Sequence, residues 1–150
     1  MAADVEHNVA VLNGLIERTL DSVDGYRKAA ESTANESFRI LFEALAERRQ
    51  QLTAKLQAQV RRYGSEPYEE GSVLAKAHRA FLDLKEKVTG HSDKAVIEEV
   101  ERGEAFLMSK FDEVMADDYL SAEVAEIVDD AYDQISADRE EIEALTHAIA

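Results

Sequence analysis

The chain predicts an all-α fold: a bundle of four long helices, with an additional helix crossing between the second and third bundle helices. Three observations carry this. One proline and six glycines in 150 residues leave little turn material, while Ala, Glu, Leu, Lys and Arg are abundant. Apolar residues recur every three or four positions over long stretches, and no alternating β-branched run competes with them. The break signals isolate segments of matched length, two pairs joined by short turns and one long connection between the pairs. A length of 150 residues and 45% apolar content fit a single domain spanning 1–150.

The first helix is expected from about Asp4, a candidate N-cap, to about Glu31. Val5, Val9, Leu12, Ile16, Val23, Tyr26 and Ala30 form its stripe. Thr33 followed by Glu36 has capping-box spacing and starts the second helix. Phe38, Leu41, Leu45, Leu52, Leu56 and Tyr63 then share one face, and Gly64 is placed for a left-handed stop. A loop around Pro67 leads to a shorter helix, about Ser72 to Thr89, closed by Gly90. Ser92 opens the next long helix, which runs to about Ala116, and Ser121 caps the last. The stripe of that last helix is Val124, Ile127, Ala131, Ile135, Ile142 and Leu145. The long helices are each roughly 40 Å, and the intervening one roughly 27 Å. Short joins make antiparallel hairpins, and the long connection makes a crossover.

Charge is unevenly distributed. Residues 1–90 hold 14 acids and 13 bases, whereas residues 91–150 hold 18 acids and 4 bases, within a total of −15. Such a surface repels phosphate backbones, so no nucleic-acid partner is expected. The acidic C-terminal half is either a solubilising surface or one that attracts cations or a basic protein. Cysteine is absent, which excludes disulfides and thiolate chemistry. No apolar run approaches the ~20 residues of a membrane span, so no membrane partner is expected. The opening Met-Ala-Ala-Asp has no secretory character, and a cytoplasmic location is expected.

Within the penultimate helix, Glu104 shares a face with Ile97, Val100, Leu107, Met108 and Phe111. A carboxylate on a core-facing stripe must be protonated, paired with a cation or bound to metal.

The segment GSVLAKAHRAFLDLKEKVTG at residues 71–90, with His78, Arg79 and Lys85, resembles a bacterial family of ferritin-like four-helix-bundle proteins whose domain is of unknown function. LNGLIERTLDSVDGYRKAAE at 12–31 and ERGE at 101–104 fit the same family. The resemblance runs from about Leu12 to Leu145. It implies the ferritin-like fold, a bacterial origin and an association with stress-related gene sets, and brings no established reaction.

Ferritin-like bundles build a di-iron site from one Glu on each of two helices and Glu-x-x-His on the other two. His7, His78, His91 and His147 all lack a Glu three residues earlier. Glu47 and Gln50 mimic the spacing but lie off the apolar stripe. The polar residues that phase inward at mid-bundle are Thr19, Arg49, Glu104 and Gln134, with Asp138 one turn beyond. A fixed cation repels metal ions, so the expectation is a metal-free core in which Arg49 pairs with Glu104, flanked by Thr19 and Gln134. The alternative is an iron or manganese site, with or without oxidase chemistry, on Glu101, Glu104 and Asp138, with Arg49 turned outward.

Two further patterns stand out. His78 and Arg79 could form a catalytic or anion site, but their locally basic helix, with Lys76, Lys85 and Lys87, favours a helix–helix hydrogen bond or surface position and bases that complement the acidic helices within one molecule or between molecules. Gly14, Arg18, Asp21 and Gly25 form an outward stripe on the first helix where another backbone could approach closely, from the crossover helix or a second subunit. No nucleotide motif or nucleophile triad occurs. The expected protein is therefore a soluble, non-catalytic bundle, homo-oligomeric and acting by interaction.

Overall fold

The computed structural model describes residues 2–71 and 93–149, and these are all α-helical or turn, with no strand. The described residues form four helices: α1 (Ala2–Ser32), α2 (Glu36–Arg62), α3 (Asp93–Met115) and α4 (Ala122–Ile149). None of the described helices is long and apolar enough to cross a membrane. The segment expected to form the crossover helix, with His78, Arg79 and the neighbouring lysines, lies outside the described residues.

The helix ends follow local chemistry, with two corrections. Asp4 does not cap α1, which already starts at Ala2, so Asp4 sits in its first turn beside the positive end of the helix dipole. Thr33 does not cap α2. Its hydroxyl is hydrogen-bonded to Asp93 at the start of α3, and Asn35 caps α2 instead, its Oδ1 accepting from Ser37 N at 2.8 Å and Phe38 N at 3.2 Å. The α2 terminus is a Schellman turn: Ser65 N donates to Val60 O, Gly64 N donates to Arg61 O, and Gly64 adopts φ 80°. Ser121 caps α4 through Val124 N.

Cross-links fix the helix directions. Thr33 and Ala34, after α1, contact Asp93 at the start of α3. At the other end His7 of α1 meets Asp117 after α3, and Tyr63 after α2 meets Ser121 before α4. Every laterally adjacent pair (α1–α2, α1–α3, α3–α4 and α2–α4) is therefore antiparallel, and α2 and α3 run parallel. The described residues that follow α2 run along α1: Tyr68 N donates to Asn13 Oδ1, and Gly71 lies so close to Asp21 that a Cβ there would meet the Asp21 carboxylate and, at 3.1 Å, its backbone nitrogen.

The close approach on the outward line of α1 is thus at Asp21. Among the described residues nothing lies within 4 Å of a Cβ built on Gly14 or Gly25, and Arg18 packs over the Phe106 ring at 5.2 Å.

The apolar interior is split. One cluster, built around Tyr26, Phe38, Phe42, Leu45, Val100 and Ile142, occupies the Asn35 end. The other, around Leu12, Ile16, Leu56, Phe111, Val128 and Ile135, occupies the Gly64 end. Between them lies a layer of polar side chains.

Candidate functional site

All four helices contribute to that layer. Thr19 and Ser22 come from α1, Arg49 and Thr53 from α2, Glu104 from α3 and Asp138 from α4. The Arg49 side chain is 0% exposed, Glu104 4% and Asp138 1%. Each occupies an apolar-phase position on its helix, so helix geometry carries the charges inward with the stripe.

Arg49 is the hub. Nη1 donates to Glu104 Oε1 at 2.8 Å and Nη2 to Glu104 Oε2 at 2.7 Å, a bidentate fork that matches a carboxylate plane. Nη2 also donates to Asp138 Oδ2 at 3.3 Å, and Nη1 to the Ser22 hydroxyl. The guanidinium lies over the Tyr26 ring, 5.3 Å from its centroid. Its Nε is buried with no hydrogen-bond partner among the described residues. Thr53 supports the hub from its own helix, donating to the Arg49 carbonyl at 2.8 Å, with Thr19 at the same distance.

Asp138 is shared between two arginines. Arg48, at the edge of the layer, lies 3.4 Å from Asp138 Oδ1 and 2.6 Å from the exposed Glu141. Gln134 donates to Asp138 Oδ1 at 3.0 Å. Two buried carboxylates thus meet one fully buried guanidinium and one half-exposed guanidinium that is shared with the exposed Glu141.

The electrostatics follow from burial. Desolvation opposes charge on Arg49, but the Glu104 hydrogen bonds and charge more than offset it and hold the guanidinium above its ordinary value. Burial pushes the Tyr26 phenol well above its usual range, and the negative Glu104 beside it adds to that. The Tyr26 hydroxyl is buried with no hydrogen bond of normal geometry among the described residues.

The layer brings together Arg49, Glu104 and Asp138. Thr19 is buried in the layer but reaches Arg49 only through Thr53. Gln134, expected to face the core, is exposed and touches the layer only through Asp138. It sits at the edge of the α4 face, beside α2, where the two helices pack most loosely. Ser22, Thr53 and Arg48 were not expected. Ser22 lies three residues after Thr19 and Thr53 four after Arg49, so each shares its neighbour's face.

The carboxylates named for a metal site are otherwise engaged or lie apart. Arg49 points inward, Glu101 is exposed, and both buried carboxylates are already bonded to the guanidinium. Among the described residues no three His, Asp or Glu side chains converge to hold an ion. Glu101, Glu140 and Glu143 instead line a cleft of about 460 Å³ between α3 and α4, whose inner wall is Glu104. Glu47 and Gln50 are on the surface, with Gln50 accepting from Arg27 at 3.0 Å.

A family profile described as Domain of unknown function (DUF2383) matches residues 7–117. The chain belongs to that family. The DUF2383 match includes Thr19, Ser22, Arg49, Thr53 and Glu104, and ends before Asp138. No curated protein and no solved structure matches the chain.

Proposed function

We propose that this DUF2383 protein is a ferritin-like bundle in which Arg49 stands where ferritin-like proteins carry metal, and that it acts by interaction and not by catalysis. The observation that carries this reading is the fully buried Arg49 held between Glu104 and Asp138 at mid-bundle. A guanidinium there supplies permanently the positive charge that metals would supply, and its presence repels divalent cations. The parallel α2–α3 arrangement fits the single-crossover topology of ferritin-like folds. Nothing in the layer has the arrangement of a nucleophile and base: its hydroxyls are the hydrogen-bonded Ser22, Thr19 and Thr53 and a phenol far from ionising. The sequence resemblance supports a bacterial, stress-associated role, and the acidic surface of α3 and α4 suits a soluble, cytoplasmic, self-associating protein.

The test is elemental analysis of untagged protein after anaerobic incubation with ferrous or manganous ion and desalting. The reading expects substoichiometric metal. Stoichiometric iron or manganese, lost on Glu104→Ala, would establish the metal-binding alternative.

A further inference from the structure

A second feature adjoins the polar layer, sharing Arg48 and Gln134 with its edge. Between α2 and α4 runs a slot of about 700 Å³, within the size range of small-molecule sites. Its α2 edge carries Arg48, Lys55 and Arg62, seven residues apart, so they form one line about 21 Å long. The slot is bounded near each end by an ion pair joining the two helices: Arg48 to Glu141 at 2.6 Å and Arg62 to Glu123 at 3.1 Å. Leu52, Leu56, Ile127 and Ala131 supply an apolar floor.

Two polar groups inside the slot remain to be accounted for. Gln59 is only 3% exposed and lines the slot, yet its side-chain amide makes no hydrogen bond among the described residues. Its amide therefore turns its hydrogen-bonding groups to the slot, where a ligand or water completes them. Lys55, one helical turn before it, lines the slot and has no ion-pair partner among the described residues. Arg48 and Arg62 are each paired with a glutamate, which leaves Lys55 as the cation of the lining with no ion-pair partner among the described residues, and Asp130 on the opposite edge disfavours a second negative charge.

We propose that this slot binds a single-chain amphiphile with a singly charged carboxylate head. The head takes the Lys55 ammonium and the Gln59 amide as donors, and the apolar chain lies on the Leu52–Leu56–Ile127–Ala131 floor. Neither donor, Lys55 nor Gln59, belongs to the Arg49 layer, so failure of this proposal would leave that reading untouched.

The experiment is calorimetric titration of the full chain with decanoate, decan-1-ol and decylammonium. Decanoate is expected to bind saturably, one molecule per chain, and both other probes more weakly. Lys55→Glu, at an exposed position, weakens decanoate by about tenfold or more, because a charged hydrogen bond is lost and a like charge introduced. Gln59→Leu weakens it less, and Ala131→Phe, which fills the floor, abolishes it. Circular dichroism melts verify that each variant is folded. Absence of decanoate binding overturns the proposal, as does equal binding of decylammonium or an unchanged affinity in Lys55→Glu. A dimer in light scattering that Ala131→Phe dissociates would make a second copy the occupant and would equally overturn it.

Discussion

Replacing Glu104 with Gln is the sharpest perturbation of the central layer. The substitution keeps the side chain's size and removes its charge. In the native layer Glu104 accepts both terminal guanidinium nitrogens of Arg49 at 2.7 and 2.8 Å. A glutamine can offer one oxygen, and its amide nitrogen then opposes an Arg49 N–H, donor against donor. Arg49 keeps Asp138 at 3.3 Å and the Ser22 hydroxyl, but Asp138 is already shared with Arg48. The result is an undercompensated charge on a side chain with no solvent exposure. Breaking one partner of a buried pair costs about 3–5 kcal/mol. At about 2–4 °C per kcal/mol for a domain of this size, the melting temperature falls by about 6–20 °C. Urea unfolding followed by circular dichroism, with matched thermal melts, measures both quantities. Arg49→Met combined with Glu104→Gln should cost less than the sum of the two single changes, since the second change removes the charge that the first left stranded. A Glu104→Gln protein that melts within about 2 °C of wild type, below the range that the loss of a buried partner implies, would refute the reasoning.

Other outcomes follow from the ends of the bundle. Asp117 is held below the ordinary carboxylate range by the Tyr119 backbone N–H first and by His7 second. A depressed folded pKa stabilises above the unfolded value of about 3.9, and that contribution is lost as pH falls through the folded value. Asp117→Asn should therefore lower stability at pH 7, and the difference from wild type should shrink as pH falls below the unfolded value of about 3.9, in urea midpoints measured across that range. Gly64→Ala should cost about 1–2 kcal/mol, because φ 80° places a Cβ against the following carbonyl; an unchanged urea midpoint would count against the Schellman turn. Asn35→Ala should cost about 1 kcal/mol while Thr33→Val leaves the start of α2 intact, a contrast readable by amide exchange of Ser37 and Phe38.

Much of the fold is legible in the chain because helical periodicity is a local property. The stripes through Leu12 and Ile16, Leu45 and Leu52, Val100 and Leu107, and Val124 and Ile135 are all buried as their spacing implies. The same phasing carries Arg49 and Glu104 inward, since a side chain's direction from a helix depends on position and not on polarity. What escaped depends on neighbours. Ser22 and Thr53 are small hydroxyls that leave an apolar pattern undisturbed, and only the placement of Arg49 gives them a role. Gln134 is solvated because α2 and α4 diverge at the slot, a tertiary separation that no single helix encodes. Thr33 had the spacing of a cap, but Asp93 from a distant segment takes its hydroxyl, leaving Asn35 to satisfy the α2 donors. Local signals located the helix ends to within a few residues, and long-range hydrogen bonds decided which side chain closes each one.

The split of the apolar interior by a polar layer gives the Arg49 pair its consequence. A metal-bound layer would be labile to chelation and to oxidation, whereas a guanidinium layer is fixed with the fold itself. The measurement that tests this most directly is the side-chain nitrogen–proton spectrum of Arg49 in labelled protein at neutral pH. A bidentate, fully buried guanidinium should give separate, slowly exchanging Nη–H resonances that collapse in Glu104→Gln. A single averaged, rapidly exchanging Arg49 signal in the wild-type protein would contradict the account.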